Sequence, residues 1–241
     1  MDRQPKIAIL RWEQVLVPKG LMQLESLPGN STNPASYPFP VKLVEVKGAC
    51  TETVITHPSK QLLADMIEIS KKLVEEEGIR AISASCGFNA IFQKEMADAL
   101  DVPVFLSSIL QVPYVQTIIG ANKAVGVITA MGSSLTRDHF RMCNVSDDVK
   151  IHVFGLENCT EWNSIFEALD NEVDLDVVRG EILATAKAAV AEHPEIGAIV
   201  LECTDLPPFA QMLREELGLP VFDFNSMMSH VAMSLSEMTN Y

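Results

Sequence analysis

The fold is decided by two stretches of sequence, AISASCG at residues 81–87 and AIVLECT at residues 198–204. Each begins with a short apolar run that is typical of a buried parallel strand, and each reaches a cysteine beside small polar residues. The two stretches lie 117 residues apart, and the same offset aligns VPVF at residues 102–105 with LPVF at residues 219–222 without a gap. Because one offset matches both a cysteine and a Pro-Val-Phe motif, we infer an internal duplication of the chain.

The rest of the chain alternates between strand and helix patterns. Further apolar runs predict strands at residues 7–10, 103–106, 124–128 and 220–222. The clearest helical pattern covers residues 60–77, with Ser59 as a candidate N-cap and Gly78 as the stop. The duplication predicts a counterpart of this helix over residues 177–192.

This alternation predicts an α/β fold of two lobes related by a pseudo-twofold axis, each a mostly parallel sheet with helices on both faces. We place the first lobe at residues 1–106 plus 219–241 and the second at residues 107–218, with the active site at the lobe interface. Residues 20–37 are rich in Gly, Asn, Ser and Pro, and we predict that they form a long loop. Long loops in compact domains are often lids over a binding site.

The composition is that of a globular protein, with 48% hydrophobic and 21% charged residues. Eighteen Lys and Arg against 32 Asp and Glu give a net charge of −14, which disfavours nucleic acids and anionic membrane surfaces as partners. The N-terminal region offers no signal-peptide core, and no apolar run approaches the roughly 18 residues that span a bilayer. We therefore expect a cytoplasmic protein whose five cysteines are reduced thiols.

Motifs for common cofactors are missing from the sequence. It contains no Gly-x-Gly-x-x-Gly, no Walker A loop, no His-Glu-x-x-His and no Gly-x-Ser-x-Gly. The five histidines show no ligand spacing, and they lie at positions 57, 139, 152, 193 and 230. We expect neither a cofactor nor a metal.

The two matched cysteines, Cys86 and Cys203, are the candidate reactive groups. Ligands of open α/β sheets bind at the carboxyl ends of the strands, which is where both cysteines fall. We expect backbone N–H groups of the following helix to lower the thiol pKa. Two thiols related by a pseudo-twofold axis would approach one small molecule from opposite faces, one as base and one as acid. Gly87 allows a substrate to approach the backbone closely, and Ser85, Asn89 and Thr204 can donate hydrogen bonds.

Other cysteines and one nearby aspartate have a structural alternative. Cysteine often serves as a small buried hydrophobe, which is our interpretation of Cys50, Cys143 and Cys159. Asp205 precedes a Leu-Pro-Pro run, so it is either the N-cap of the next helix, a role that Thr204 could share, or a catalytic group.

SCGFN at residues 85–89, ECTD at residues 202–205 and VITAMGSS at residues 127–134 resemble motifs of the aspartate/glutamate/hydantoin racemase superfamily. The family topology covers the whole chain, and its recognisable motifs cover about a third of it. Members use two cysteines that face each other across a lobe interface for cofactor-independent chemistry beside a carboxylate or carbonyl. The resemblance implies that Cys86 and Cys203 are the catalytic pair, and it also implies a homodimer. Substrate-binding residues from this resemblance and from the motifs are Arg11, Gly87, Phe88, Asn89, Thr129, Ser133, Ser134 and Thr204.

The chain departs from the amino-acid racemases at both cysteines. Those enzymes commonly have Cys-Asn-Thr after the first cysteine and Gly-Cys-Thr around the second, whereas this chain has Cys86-Gly87-Phe88 and Glu202-Cys203-Thr204. Phe88 would make its side of the pocket less polar. The superfamily also contains maleate isomerases, arylmalonate decarboxylases and algal dimethylsulfoniopropionate lyases, and the two motifs here are similar to those of the lyases.

We therefore predict a cofactor-independent racemase or isomerase of a small carboxylate, such as an amino acid. A lyase that eliminates a β-substituent, or a decarboxylase, is the alternative within the same superfamily. A non-catalytic two-lobed ligand-binding module is the alternative from another class. A lyase would release a small unsaturated acid, so product analysis separates it from a racemase.

Overall fold

The computed structural model describes residues 5–167 and 169–235. Their strands form two parallel four-stranded sheets. The first sheet has the order β2-β1-β3-β4 and consists of β1 (Ile7–Arg11), β2 (Val41–Glu45), β3 (Ala81–Ala84) and β4 (Val104–Phe105). The second has the order β6-β5-β7-β8 and consists of β5 (Ala124–Thr129), β6 (Ile151–Gly155), β7 (Ile196–Leu201) and β8 (Val221–Phe222). The identical strand order confirms the predicted α/β class and agrees with a duplicated chain.

The α-helices of the described residues lie between and after these strands. They are α1 (Lys19–Glu25), α2 (Lys60–Glu77), α3 (Gln93–Ala99), α4 (Val112–Ile119), α5 (Arg137–Met142), α6 (Thr160–Glu167), α7 (Leu175–Glu192), α8 (Ala210–Leu217) and α9 (Phe224–Leu235). A search of the described ranges finds no helix with the length and apolar character needed to cross a membrane.

Helix α2 forms as its sequence pattern predicts. The Ser59 hydroxyl accepts a hydrogen bond from the Leu62 N–H at 3.3 Å, and Gly78 ends the helix with φ of 69°, a left-handed conformation that glycine adopts without steric cost. Leu62, Met66 and Leu73 are buried on one face of the helix, in a hydrophobic cluster, here called the first core, that also contains Ile82 of β3. Full burial of each such side chain contributes about 1.5–3 kcal/mol.

Strands β2 and β6 are missing from the predicted strands, and helix α1 begins where a loop is predicted. β2 and β6 are edge strands whose residues are only partly buried, and polar residues such as Lys42 and His152 interrupt their apolar pattern. The loop prediction for residues 20–37 is wrong at its start, because Gly20 and Leu24 belong to α1 and are buried. A Cβ atom at Gly20 would lie 2.9 Å from the Ile165 Cα, so α1 packs directly on α6.

The two lobes share a hydrophobic core, and the last described helix packs on the first sheet. Ile82 of the first sheet belongs to the same buried cluster as Val127 and Val200 of the second. Helix α9 returns to the first sheet, where Phe224 is buried in one cluster with Ile7.

The final strand does not follow the predicted lobe boundary. β8 pairs with β7 in the second sheet, with Val221 opposite Ile199, although we placed residues 219–241 in the first lobe. Consecutive strands usually lie next to each other in a sheet, so β8 pairs with β7 and the chain returns to the first lobe only after β8. The rest of the lobe division stays a prediction, and its residues 1–4 and 236–241 lie outside the described residues.

Candidate active site

The two cysteine segments meet at the carboxyl ends of their strands. Cys86 follows β3, Cys203 follows β7, and the Thr204 hydroxyl donates a hydrogen bond to the Ser85 carbonyl across the lobes. A Cβ atom at Gly87 would lie 2.2 Å from the Glu202 backbone oxygen and 2.3 Å from its Oε1 atom. The fold therefore brings together the two segments that the sequence offset relates.

The two cysteines differ in their exposure to solvent. Cys86 is partly buried, and Cys203 is 9% exposed. The two segments are joined by the hydrogen bond from the Thr204 hydroxyl to the Ser85 carbonyl, and each of these residues is the immediate neighbour of a cysteine. The cysteine segments are therefore adjacent, and the joint action of the two thiols on one small molecule stays a prediction.

The prediction of lowered thiol pKa values is wrong. Burial raises the pKa of Cys86 first, and the Glu202 carboxylate raises it further. Backbone N–H groups of Phe88 and Asn89 act in the predicted direction but are outweighed. Burial also raises the pKa of Cys203, followed by the neighbouring Asp205 and Glu202 carboxylates. The cause is that desolvation and negative neighbours both favour the neutral thiol.

Glu202 is a buried carboxyl group that precedes Cys203 and packs against Gly87, and no sequence motif marks it as functional. It is 0% exposed, and its Oε2 atom accepts a hydrogen bond from the Thr129 hydroxyl at 2.7 Å. Its Oε1 atom is buried and has no hydrogen-bond partner within the described part of the chain. Burial raises the pKa of Glu202 to about 7. Thr129, predicted to bind the substrate carboxylate, binds this carboxyl group instead.

Stability should therefore depend on the ionisation of Glu202. Unfolded Glu202 loses its proton near its ordinary pKa of 4.5, whereas the folded protein retains it until about pH 7. The folded state binds more protons between these values, so the free energy of unfolding falls as pH rises through this window, by up to roughly 3 kcal/mol. We expect Glu202→Gln to reduce the loss of stability between pH 5 and pH 8 in urea unfolding.

The control for that measurement is Glu75→Gln, which changes an exposed glutamate on α2. The control should lose stability with pH as the unchanged protein does. Parallel stability curves for Glu202→Gln and the unchanged protein would show that Glu202 does not ionise in this range.

Asp205 is placed beside the second thiol and does not cap a helix. Its Oδ2 atom accepts from the Cys203 sulfur at 3.8 Å, and its Oδ1 atom accepts from the Asn30 amide at 2.8 Å. The following 3₁₀ turn, Pro207–Phe209, has Leu206 at its N-cap position without a side-chain cap. Of the two predicted roles the N-cap is wrong, and Thr204 does not cap the turn either.

The polar part of the predicted loop contributes to this site. Asn30 is 0% exposed, and the Ser31 N–H donates to the Thr204 carbonyl at 3.2 Å. The Asn30 Oδ1 atom also accepts from the Thr32 N–H and hydroxyl. No sequence motif assigns a role to these side chains, although the density of Asn, Ser and Thr between residues 29 and 33 is unusual for this chain.

Arg11 and Glu25 extend the charged part of the site. Burial raises the pKa of Glu25 to about 7; nearby Asp205 adds to this rise, and Arg11 opposes it. Arg11 ends β1, next to β3 in the sheet, so it lies at the same edge as Cys86. Its predicted contact with the distal end of a substrate stays a prediction.

The loop after β5 already holds a carboxylate. The N–H groups of Gly132 and Ser133 each donate to the Glu157 carboxylate at 2.9 Å. These hydrogen bonds keep the pKa of Glu157 below its ordinary value against the opposing effect of burial. In this structure the carboxylate held by the loop belongs to the chain itself, and the binding of a substrate carboxylate by Ser133 and Ser134 stays a prediction.

The remaining predicted residues differ in their surroundings. Asn89 is 3% exposed, and its amide donates to the Cys86 carbonyl at 3.0 Å. Phe88 is packed in the first core with its ring edge-on to His139, at 5.6 Å between ring centroids. Its predicted effect on pocket polarity therefore has no support in the structure, which gives the ring a packing role.

Two further expectations from the sequence need correction. Cys143 is buried and Cys159 is partly buried, but Cys50 is exposed and bonds to Thr53. The histidines show no ligand spacing in sequence, yet the rings of His152 and His193 stack at 3.8 Å between centroids. Residues far apart in sequence become neighbours when parallel strands align, which spacing rules do not capture.

Together, the fold and the site define a two-lobed α/β protein with paired cysteines at the interface of its duplicated halves. The sequence model of the Asp/Glu/Hydantoin racemase family matches residues 112–232. The chain belongs to this family, which confirms the predicted resemblance.

Similar proteins include both lyases and racemases. The chain is 34% identical over 206 residues to a dimethylsulfoniopropionate lyase of Durusdinium sp. clade D, a match that covers 82% of this chain and 66% of that protein. It is 29% identical over 229 residues to dimethylsulfoniopropionate lyase 5 of Emiliania huxleyi (strain CCMP1516), covering 91% of this chain and 43% of that protein. The chain thus spans less than two thirds of the length of either relative.

Solved structures share the fold at low sequence identity. Allantoin racemase from Pseudomonas fluorescens matches with a TM-score of 0.61 and 16% identity, covering 95% of this chain and 89% of that one. Unliganded arylmalonate decarboxylase matches with a TM-score of 0.57 and 13% identity, covering 98% of this chain and 94% of that one. These likenesses establish the architecture and leave the reaction open.

Proposed function

We propose that the protein is a cofactor-independent lyase that removes a proton beside a carboxylate and expels a cationic β-substituent. The observation that carries the proposal is the contact of the Cys203 thiol with Asp205, which gives the thiol a proton acceptor of its own. Asn30 fixes that acceptor by its hydrogen bond to Asp205. The relatives described as dimethylsulfoniopropionate lyases support a sulfonium carboxylate as the substrate class.

The proposed reaction begins with a proton transfer inside the site. Cys203 gives its proton to Asp205, which turns a thiol and a carboxylate into a thiolate and a carboxylic acid. The net charge of the pair does not change, so the transfer adds no buried charge, whereas losing the proton to solvent would.

Elimination then needs one base. The Cys203 thiolate takes the proton from the carbon beside the substrate carboxylate, and the electron pair left behind forms a carbon–carbon double bond. The bond to the β-sulfonium sulfur breaks, and its electrons neutralise the sulfur. An unsaturated acid and a neutral sulfide leave, and Asp205 returns its proton to solvent.

The acidic surroundings of the cysteines suit a cationic group. Glu202, Asp205 and Glu25 are carboxyl groups whose pKa values are raised first by burial. A sulfonium placed among them would favour their ionised forms and would itself be stabilised by them. An anionic substrate without a cationic group would meet repulsion from the same three residues.

The substrate carboxylate would bind at the loop after β5, in place of Glu157. The Gly132 and Ser133 N–H groups donate to Glu157 as they would to a substrate. Removing this internal competitor should therefore strengthen substrate binding. We expect Glu157→Ala to lower KM with little change in kcat in initial-rate measurements, and Glu161→Ala, on α6, to serve as the control. An unchanged or higher KM would place the substrate carboxylate elsewhere.

A racemase remains the second candidate, because the two cysteine segments are in direct contact through the hydrogen bond between Thr204 and Ser85. Inverting a carbon requires groups on both faces, and Cys86 would supply the second. For elimination, Cys86 is not required as a base.

The two functions are separated by incubating the protein with candidate substrates in heavy water and following the products by NMR. Dimethylsulfoniopropionate and D- and L-amino acids form the panel. Loss of substrate with an unsaturated acid and dimethyl sulfide as products supports the lyase. Deuterium at the carbon beside an intact substrate's carboxylate, without elimination, supports the racemase. Saturable binding with neither reaction would favour the ligand-binding module.

A further inference from the structure

A second cluster of reactive side chains lies in the second lobe, away from the cysteines. His152 is on β6, His193 follows α7, and Glu195 precedes β7. Glu195 lies at the amino end of β7, whereas Cys203 follows its carboxyl end. A strand of this length spans about 20 Å, at about 3.3 Å per residue. The cluster is therefore a separate site from the one described above.

The three side chains converge on one point. The His152 Nε2 atom lies 2.8 Å from the Glu195 Oε1 atom, and the His193 Nδ1 atom lies 3.6 Å from the same oxygen. One ligand atom from each residue falls within 4.8 Å of the others. Ligand atoms around a four-coordinate zinc-type ion, each about 2.0–2.1 Å from the metal, are about 3.4 Å apart. The observed separations lie on both sides of that value.

Rigid elements hold the three residues in place. The Glu195 carbonyl accepts from the Ala124 N–H of β5 at 2.9 Å. The His193 N–H donates to the Ala189 carbonyl at 2.9 Å, and its own carbonyl accepts from the Ile196 N–H at 3.0 Å. Phe154 packs against the His193 ring at 5.8 Å between centroids. Binding an ion requires rotation of the stacked imidazoles, and the backbone is already positioned.

The cluster is also open to solvent and has the right donor chemistry. The side chains of His152, His193 and Glu195 are 29%, 28% and 41% exposed, so an ion can enter and can keep water in its remaining positions. Two imidazole nitrogens and one carboxylate oxygen suit zinc, nickel and copper, whereas magnesium and calcium prefer oxygen ligands alone. The net charge of −14 favours the approach of a cation.

We propose that His152, His193 and Glu195 bind one divalent transition-metal ion of the zinc, nickel or copper type. The site takes the ion through two imidazoles and one carboxylate and leaves the other coordination positions to water. This site is independent of the proposed lyase reaction, because none of its ligands touches the cysteine segments.

The test is a calorimetric titration of the metal-free full chain with nickel chloride at pH 7.5. Nickel is the probe because it is well suited to imidazole, whereas zinc also binds the free thiols of this chain. We expect one equivalent to bind. His152→Ala and His193→Ala should each weaken binding by about tenfold or more, since even the loss of an outer partner of a metal site costs about 10–100-fold.

His57→Ala is the matched control. His57 forms a similar contact with a carboxylate, 2.7 Å from Nδ1 to the Glu52 Oε1 atom, but it lies outside the cluster. Binding should be unchanged in this variant, and in the unchanged protein paramagnetic nickel should broaden the imidazole NMR signals of His152 and His193 and leave that of His57. Absence of saturable binding, full binding by a His152→Ala/His193→Ala double variant, or loss of binding on thiol alkylation would each overturn the proposal.

Discussion

Replacing Cys203 by alanine is expected to lower the proposed elimination rate by about 10²–10⁴-fold, the range that a positioned acid or base contributes. The reason is that Cys203 combines the position of the reactive thiol with a direct contact to the proton acceptor Asp205. Headspace gas chromatography of dimethyl sulfide measures the rate, and circular dichroism confirms that the variant is folded.

Companion variants separate the roles of the groups. Asp205→Asn keeps the shape of the acceptor and removes its ability to take the thiol proton, so it should also lose most of the activity. Cys159→Ala, which alters a partly buried thiol bonded to Thr185 in the same lobe, is the control and should retain activity. If Cys203→Ala eliminates sulfide at the unchanged rate while Cys86→Ala does not, the base is the other cysteine and the proposed pairing with Asp205 is wrong.

Gly87→Ala is expected to destabilise the protein and to remove activity at the same time. The new Cβ atom would lie 2.2 Å from the Glu202 backbone oxygen, a distance that no side-chain rotation relieves. The two cysteine segments must move apart, and overpacking of this kind costs about 1–3 kcal/mol. For a chain of this size each kcal/mol lowers the melting temperature by about 2–4 °C, which calorimetry detects.

Gly180→Ala is the matched control for that substitution. Gly180 lies inside α7, and among the described residues no atom outside its own stretch of helix comes within 4 Å of a Cβ placed there. Alanine in a helix interior is favoured over glycine by about 0.5–1 kcal/mol, so this variant should melt at a higher temperature. A Gly87→Ala protein as stable and as active as the unchanged one would contradict the contact between the segments.

Part of the site can be predicted from the sequence, because the duplication shows which residues occupy equivalent positions in the two halves. The offset of 117 residues relates Cys86 to Cys203, and the strands before them end at the same edge of matching sheets. The N-cap and stop of α2 were likewise readable, because Ser59 and Gly78 act through local backbone contacts. These features depend on residues near one another in sequence or on repetition.

The acidity of the site was not accessible in this way. A Glu-Cys-Thr motif shows a carboxyl group next to a thiol, but its burial against Gly87 depends on the packing of the other lobe. Burial and Glu202 raise the pKa of Cys86 and outweigh the nearby N–H groups, which act in the opposite direction. Sequence patterns indicate which groups are present and do not give their distance from solvent.

The amino-acid sequence by itself determined the duplicated α/β architecture, the two cysteines at equivalent strand ends and the family to which the chain belongs, because periodicity and repetition are written along the chain. Only the tertiary structure decided that Asn30 holds Asp205, that Glu157 occupies the loop after β5, and that His152 meets His193. Each of these contacts joins segments distant in sequence, and their approach depends on how two lobes and their edge strands pack.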